Sequence, residues 1–116
     1  MIENLNDRLF KFAMNVLKLL PRLPKSPEFN VIRYQLTKSA TSSGANYEES
    51  QAGSSKADFN NKVRISLREM RESNYWLRLI ISIMENNTLE NDLNKLLDES
   101  NQLKKILGSI VTKTNK

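Results

Sequence analysis

Arg64, Arg68, Arg71, Tyr75 and Arg78 follow one another at steps of three and four residues. On an α-helix, at about 100° per residue, they fall within one narrow sector. Four guanidinium groups with an aromatic ring between them suit phosphate contact combined with base stacking. The competing account is a solvated face balanced by Glu69 and Glu72. The rest of the chain offers little catalytic vocabulary. Its 116 residues include no histidine and no cysteine, which removes the commonest metal ligand, the usual general base and the thiolate nucleophile.

The other candidate constellations are weaker. Glu69 and Glu72 have the i, i+3 spacing used by carboxylate-bridged metal sites, but those bundles also need the histidine of a Glu-x-x-His motif. Neither a metal nor a cofactor is therefore expected, and Arg68 with Glu72 reads as a helix-spaced surface ion pair. Gly44, Gly53 and Gly108 are scattered and build no phosphate-binding loop. The hydroxyl-rich run Ser39 to Ser43 has no base to activate it and is better explained as small-residue packing. Asn46 and Glu49 are placed to brace a turn rather than to bind a ligand. Ile65, Trp76, Leu79, Ile80 and Ile83 gather on the side opposite the core seam of their helix, and a second apolar stripe of this kind marks deep burial or a self-association surface.

These residues need helices to position them, and the punctuation supplies four. Pro21 and Pro24 end a first helix whose Leu5, Leu9, Phe12, Ala13, Val16 and Leu20 share a face. Ser26 followed by Pro27 starts the second as N-cap and first-turn residue. Its stripe Phe29, Ile32, Leu36, Ala40, Ser43 and Tyr47 becomes small towards its end near Glu49, which invites close approach of another backbone. Ser55 with Asp58 caps a third helix with the seam Phe59, Val63, Leu67, Met70, Asn74, Leu77, Ile81 and Met84. Asn87 with Glu90 caps a fourth, carrying Leu89, Leu93, Leu96, Leu97, Leu103 and Leu107. No segment alternates with period two.

Connections this short cannot return the chain along a helix, so successive helices are antiparallel neighbours. The predicted fold is all-α, an antiparallel up-down-up-down four-helix bundle over residues 1–111, with the chain fraying beyond Gly108 and a frayed tail at 112–116. The longest apolar-rich run, Leu79 to Met84, is too short to cross a membrane, and the expected location is the cytoplasm.

Net charge is +5 and unevenly distributed. Residues 1–40 carry seven Lys/Arg against Glu3, Asp7 and Glu28, whereas residues 85–101 carry Lys95 against Glu85, Glu90, Asp92, Asp98 and Glu99. Such alternating blocks suit helices that meet neighbours of opposite sign. The overall surplus is compatible with a polyanionic partner and equally with ordinary surface chemistry.

The segments QLTKSATSSGANYEE (35–49), SSKADF (54–59) and REMRESNYWLRL (68–79) closely resemble the bacterial four-helix-bundle family named for 23S rRNA intervening sequences. The resemblance implies a bundle that assembles as a ring, typically a homopentamer. It also covers accessory proteins of diversity-generating retroelements, which bind nucleic acid and a reverse transcriptase. No enzyme is implied. The expected function is a non-enzymatic, self-assembling bundle associated with structured RNA or a retroelement RNA/DNA intermediate. The alternative is an oligomeric protein-interaction scaffold whose basic face docks an acidic partner.

Overall fold

A computed structural model describes residues 4–53 and 55–114. Four helices form among them: α1 (Leu5–Leu19), α2 (Pro27–Ser50), α3 (Lys56–Ile83) and α4 (Glu90–Thr114), with a 3-10 turn over Leu20–Arg22 after α1. The starts of α1, α2 and α3 are written in side-chain chemistry. Asn4 accepts from the Asp7 amide, Ser26 from the Phe29 amide and Ser55 from the Asp58 amide, each satisfying one of the orphan donors of a helix N-terminus. Gly53, between α2 and α3, sits at φ +79°, where a side chain would be strained.

At 28 residues α3 is about 42 Å long, so the 46 Å long dimension of the molecule is one helix length. Every sequential pair packs, and α1 returns to α4 to close the ring. The pairings fix the directions. Ser39 meets Ser73 while Ser43 meets Ser66, so α3 descends as α2 rises. Likewise Arg8 meets Glu99 and Arg22 meets Asp92. The molecule is the up-down-up-down bundle that its spacing predicts.

The core is apolar along most of its length, with Phe12, Leu36, Met70, Leu77 and Leu103 among its fully buried members. The α2–α3 seam differs. The Ser43 hydroxyl donates to the Ser66 carbonyl at 2.9 Å, the Ser66 hydroxyl donates back to the Ser43 carbonyl at 2.7 Å, and the Ser39 and Ser73 hydroxyls lie 2.8 Å apart. A hydroxymethyl group reaches a neighbouring backbone only if the two backbones are close, so the small end of α2 does what its composition predicts. On its other side, a Cβ added to Gly44 would lie 3.4 Å from the Leu9 Cβ, so α1 approaches α2 closely at this point.

Three expectations change. Ile80 is wholly buried, not part of an outer stripe. It stands seven residues beyond Ser73 and fourteen beyond Ser66, in the row that faces α2, and the Ser39–Ser73 register brings it level with Ile32. The serines made that row look polar in sequence and hid its continuation. Second, α4 does not fray at Gly108 but runs to Thr114, because Ile110 and Val111 pack on the core and the Asn60 amide donates to the Thr114 carbonyl. Residues 115 and 116 of the expected tail lie outside the described residues. Third, Asn86 rather than Asn87 supplies the side-chain carbonyl in the α3–α4 turn, accepting from the amide and hydroxyl of Thr88. Asn87 contributes its backbone carbonyl to the Glu90 amide.

Candidate nucleic-acid interface

The serine row and the apolar seam bury two adjacent sides of α3, so its remaining surface is fixed by elimination. Arg64, Arg68, Arg71, Tyr75 and Arg78 all emerge exposed on it. Within this group Arg78 is the most ordered. Its guanidinium lies over the Tyr75 ring, 5.7 Å from the centroid, and its Nε donates to Asn74 Oδ1 at 3.1 Å. The Tyr75 and Trp76 rings meet in a T-shaped pair with centroids 5.0 Å apart. A cation held over an aromatic ring leaves its outward N–H groups pointed at solvent, ready for a phosphate.

Asn74 is the hub that the sequence did not announce. It occupies a core position, yet its amide donates to Ser100 Oγ and Asn101 Oδ1, each at 2.9 Å, and its carbonyl also accepts from Lys104 at 3.5 Å. The network brings Lys104 of α4 to the arginine face. Its sequence signal was slight: one asparagine interrupting an apolar seam. Lys104 itself stands in sequence only among the C-terminal lysines Lys104, Lys105, Lys113 and Lys116.

The balancing acids behave unlike helix-spaced partners. Arg68 pairs with its neighbour Glu69 at 3.6 Å, not with Glu72. Burial raises the Glu69 carboxyl above its ordinary pKa, the adjacent Glu72 raises it further, and Arg68 opposes both. Two carboxylates of α4, Asp92 and Glu99, are turned away towards Arg22 and Arg8 of α1. Among the described residues no three carboxylates converge as a metal site would require.

Of the proposed self-association residues, Ile65, Trp76 and Leu79 are half-buried, with the latter two packed against the core. Ile83 is exposed at 38%, and Ile80 belongs to the core. Larger apolar exposure occurs on α1 and α2, at Phe10 (67%), Tyr34 (62%), Val31 and Leu17. A groove of about 570 Å³ runs between these helices, with Phe10, Met14 and Leu17 on one wall and Thr41 and Ala45 on the other. Phe10, Met14 and Leu17 form a second apolar stripe that was legible in α1. Asn46 braces only its own helix, donating to the Ser42 carbonyl and hydroxyl. Glu49 holds the following turn through its backbone carbonyl, which accepts from Ala52.

An all-helical bundle with an exposed arginine face and no converging metal-binding cluster among the described residues is the class that this geometry defines. The chain belongs to the family of 23S rRNA-intervening sequence proteins, whose family model matches residues 5–109. It is similar to a protein of unknown function from the S23 ribosomal protein family of Bacteroides thetaiotaomicron, known from a crystal structure. The two share 32% identity at a TM-score of 0.80, over 91% of this chain and 96% of the other. No curated protein matches the chain. No helix among the described residues is long and apolar enough to cross a membrane.

Proposed function

We propose that this protein is a non-enzymatic, self-assembling bundle that binds nucleic acid through the outer face of α3, with structured RNA or a retroelement RNA/DNA intermediate as the ligand. The observation that carries this reading is the Arg78–Tyr75 stack, tied through Asn74 to Lys104 and continuous with exposed Arg71, Arg68 and Arg64. Cations contribute sequence-independent phosphate attraction, and the tyrosine contributes a platform for an unstacked base. One copy offers few phosphate contacts and would lose most of its binding at physiological salt. Copies joined in a ring, five by the family resemblance, convert later contacts into intramolecular ones and raise avidity. The exposed apolar surface of α1 and α2, with Ile83, is the better candidate for joining them.

The test is RNA binding by fluorescence anisotropy across a salt series, comparing wild type with Arg68→Glu, Arg71→Glu. The double reversal should weaken binding to every RNA, flatten the salt dependence and leave helicity and scattering mass unchanged. Equal binding at equal salt sinks the proposal. It would favour the second reading, an oligomeric protein-interaction scaffold whose basic face docks an acidic partner.

A further inference from the structure

The α1–α4 edge of the bundle carries a second cationic feature, separate from the α3 face. Where α1 returns to α4 the helices leave an open cleft of about 510 Å³, within the range of roughly 300–1,000 Å³ typical of small-ligand sites. Each end is closed by an ion pair. Arg8 grips Glu99 with both Nε and Nη2, at 3.0 and 2.6 Å, and Arg22 meets Asp92 at 2.9 Å. Between these clasps the walls carry Lys11, Asn15 and Lys18 from α1 and Lys95 from α4, over a floor of Phe12, Leu19 and Leu96.

The composition of this cleft is lopsided. Five cations and two carboxylates line it, and both carboxylates already have an arginine. Lys11, Asn15 and Lys18 stand at i, i+4 and i+7, hence on one line along α1 facing Lys95. Like charges gathered across a seam repel, and low-dielectric walls concentrate their field inside the cleft. An anion placed there removes that repulsion, and an apolar floor between cationic walls favours a ligand with an apolar body as well as charge.

We propose that the α1–α4 cleft binds a small phosphorylated ligand with a flat apolar body, the chemistry of a nucleoside polyphosphate. Lys18 and Lys95 contact the phosphates, Asn15 offers a donor and an acceptor, and the body lies over Phe12, Leu19 and Leu96. Binding is not coupled to hydrolysis, because nothing lining the cleft resembles a phosphate loop and no histidine is available. The site does not depend on nucleic-acid binding by α3.

Metal-free ATP is the probe, followed by calorimetry and by thermal shift at constant ionic strength. The comparison is Lys18→Glu, Lys95→Glu against Arg68→Glu, Arg71→Glu, two variants that each lower the net charge by four, from +5 to +1. Generic attraction therefore falls equally in both. Wild type should bind ATP saturably and gain thermal stability, since a ligand of the native state raises its melting temperature. The cleft variant should lose about tenfold or more in affinity, roughly 1.4 kcal/mol, while the α3 variant keeps its affinity. Lys18→Gln, Lys95→Gln should show a smaller loss in the same direction, which guards against a folding defect in the reversal. Three results overturn the proposal: no saturable binding by wild type, equal losses in the two charge-matched variants, or pyrophosphate binding as tightly as ATP.

Discussion

The α2–α3 seam and the α1–α4 seam are built on opposite principles. In the first, small side chains and hydroxyl-to-carbonyl bonds draw two backbones together, and Ser39, Ser43, Ser66 and Ser73 are all buried. In the second, long charged side chains meet at their tips and hold the helices apart, so that this is the most loosely packed seam of the bundle. The close seam has no room for a ligand and fixes one register. The loose seam tolerates variation and leaves a cavity. A fixed register and room for a ligand are thus divided between these two seams.

Overpacking the close seam should have the largest effect. Ser43→Leu forces a branched side chain between backbones already in hydroxyl contact and removes a reciprocal bond pair, at a cost of about 2–4 kcal/mol. A urea-unfolding midpoint shift worth under about 1 kcal/mol would mean that the helices part readily there, and the contrast would fail. The clasp of the loose seam should contribute less. A double-mutant cycle on Arg8→Ala and Glu99→Ala should give a coupling of about 1 kcal/mol, because the pair is bidentate but still part-exposed, and added salt should reduce it. Coupling that survives high salt would place this pair in a far drier setting than its exposure indicates. The smallest expected effect is a gain. Gly108 lies inside α4, and a Cβ there meets nothing within 4 Å, so Gly108→Ala should stabilise the protein by about 0.5–1 kcal/mol. Destabilisation would mean that α4 past Gly108 depends on a close neighbour.

Which features were legible follows from the length scale of the signal. The four helices, the Ser26 and Ser55 caps and the outward arginine sector depend on neighbours within four residues, and all are readable along the chain. The opposed charge of residues 1–40 and 85–101 anticipated the α1–α4 ion pairs, although not which residues would meet. Ile80 was misplaced because periodicity weighs a residue by polarity, and the serines of its row are polar yet buried. The Arg68–Glu72 expectation failed because helix spacing permits a pair without requiring it: Arg68 meets Glu69 at 3.6 Å instead, although burial of that carboxyl opposes its charge.

The amino-acid sequence by itself determined the fold class, the antiparallel order and the identity of the exposed cations, because helix periodicity, capping and short loops act locally. Tertiary structure decided the rest. Only packing turns Asn74 into a hub linking Arg78 to Lys104, converts a serine run into a bonded seam, and leaves a charged cleft where α1 meets α4. Each depends on the distance between backbones far apart in sequence. That distance is set by the summed volumes of facing side chains, which no single helix encodes.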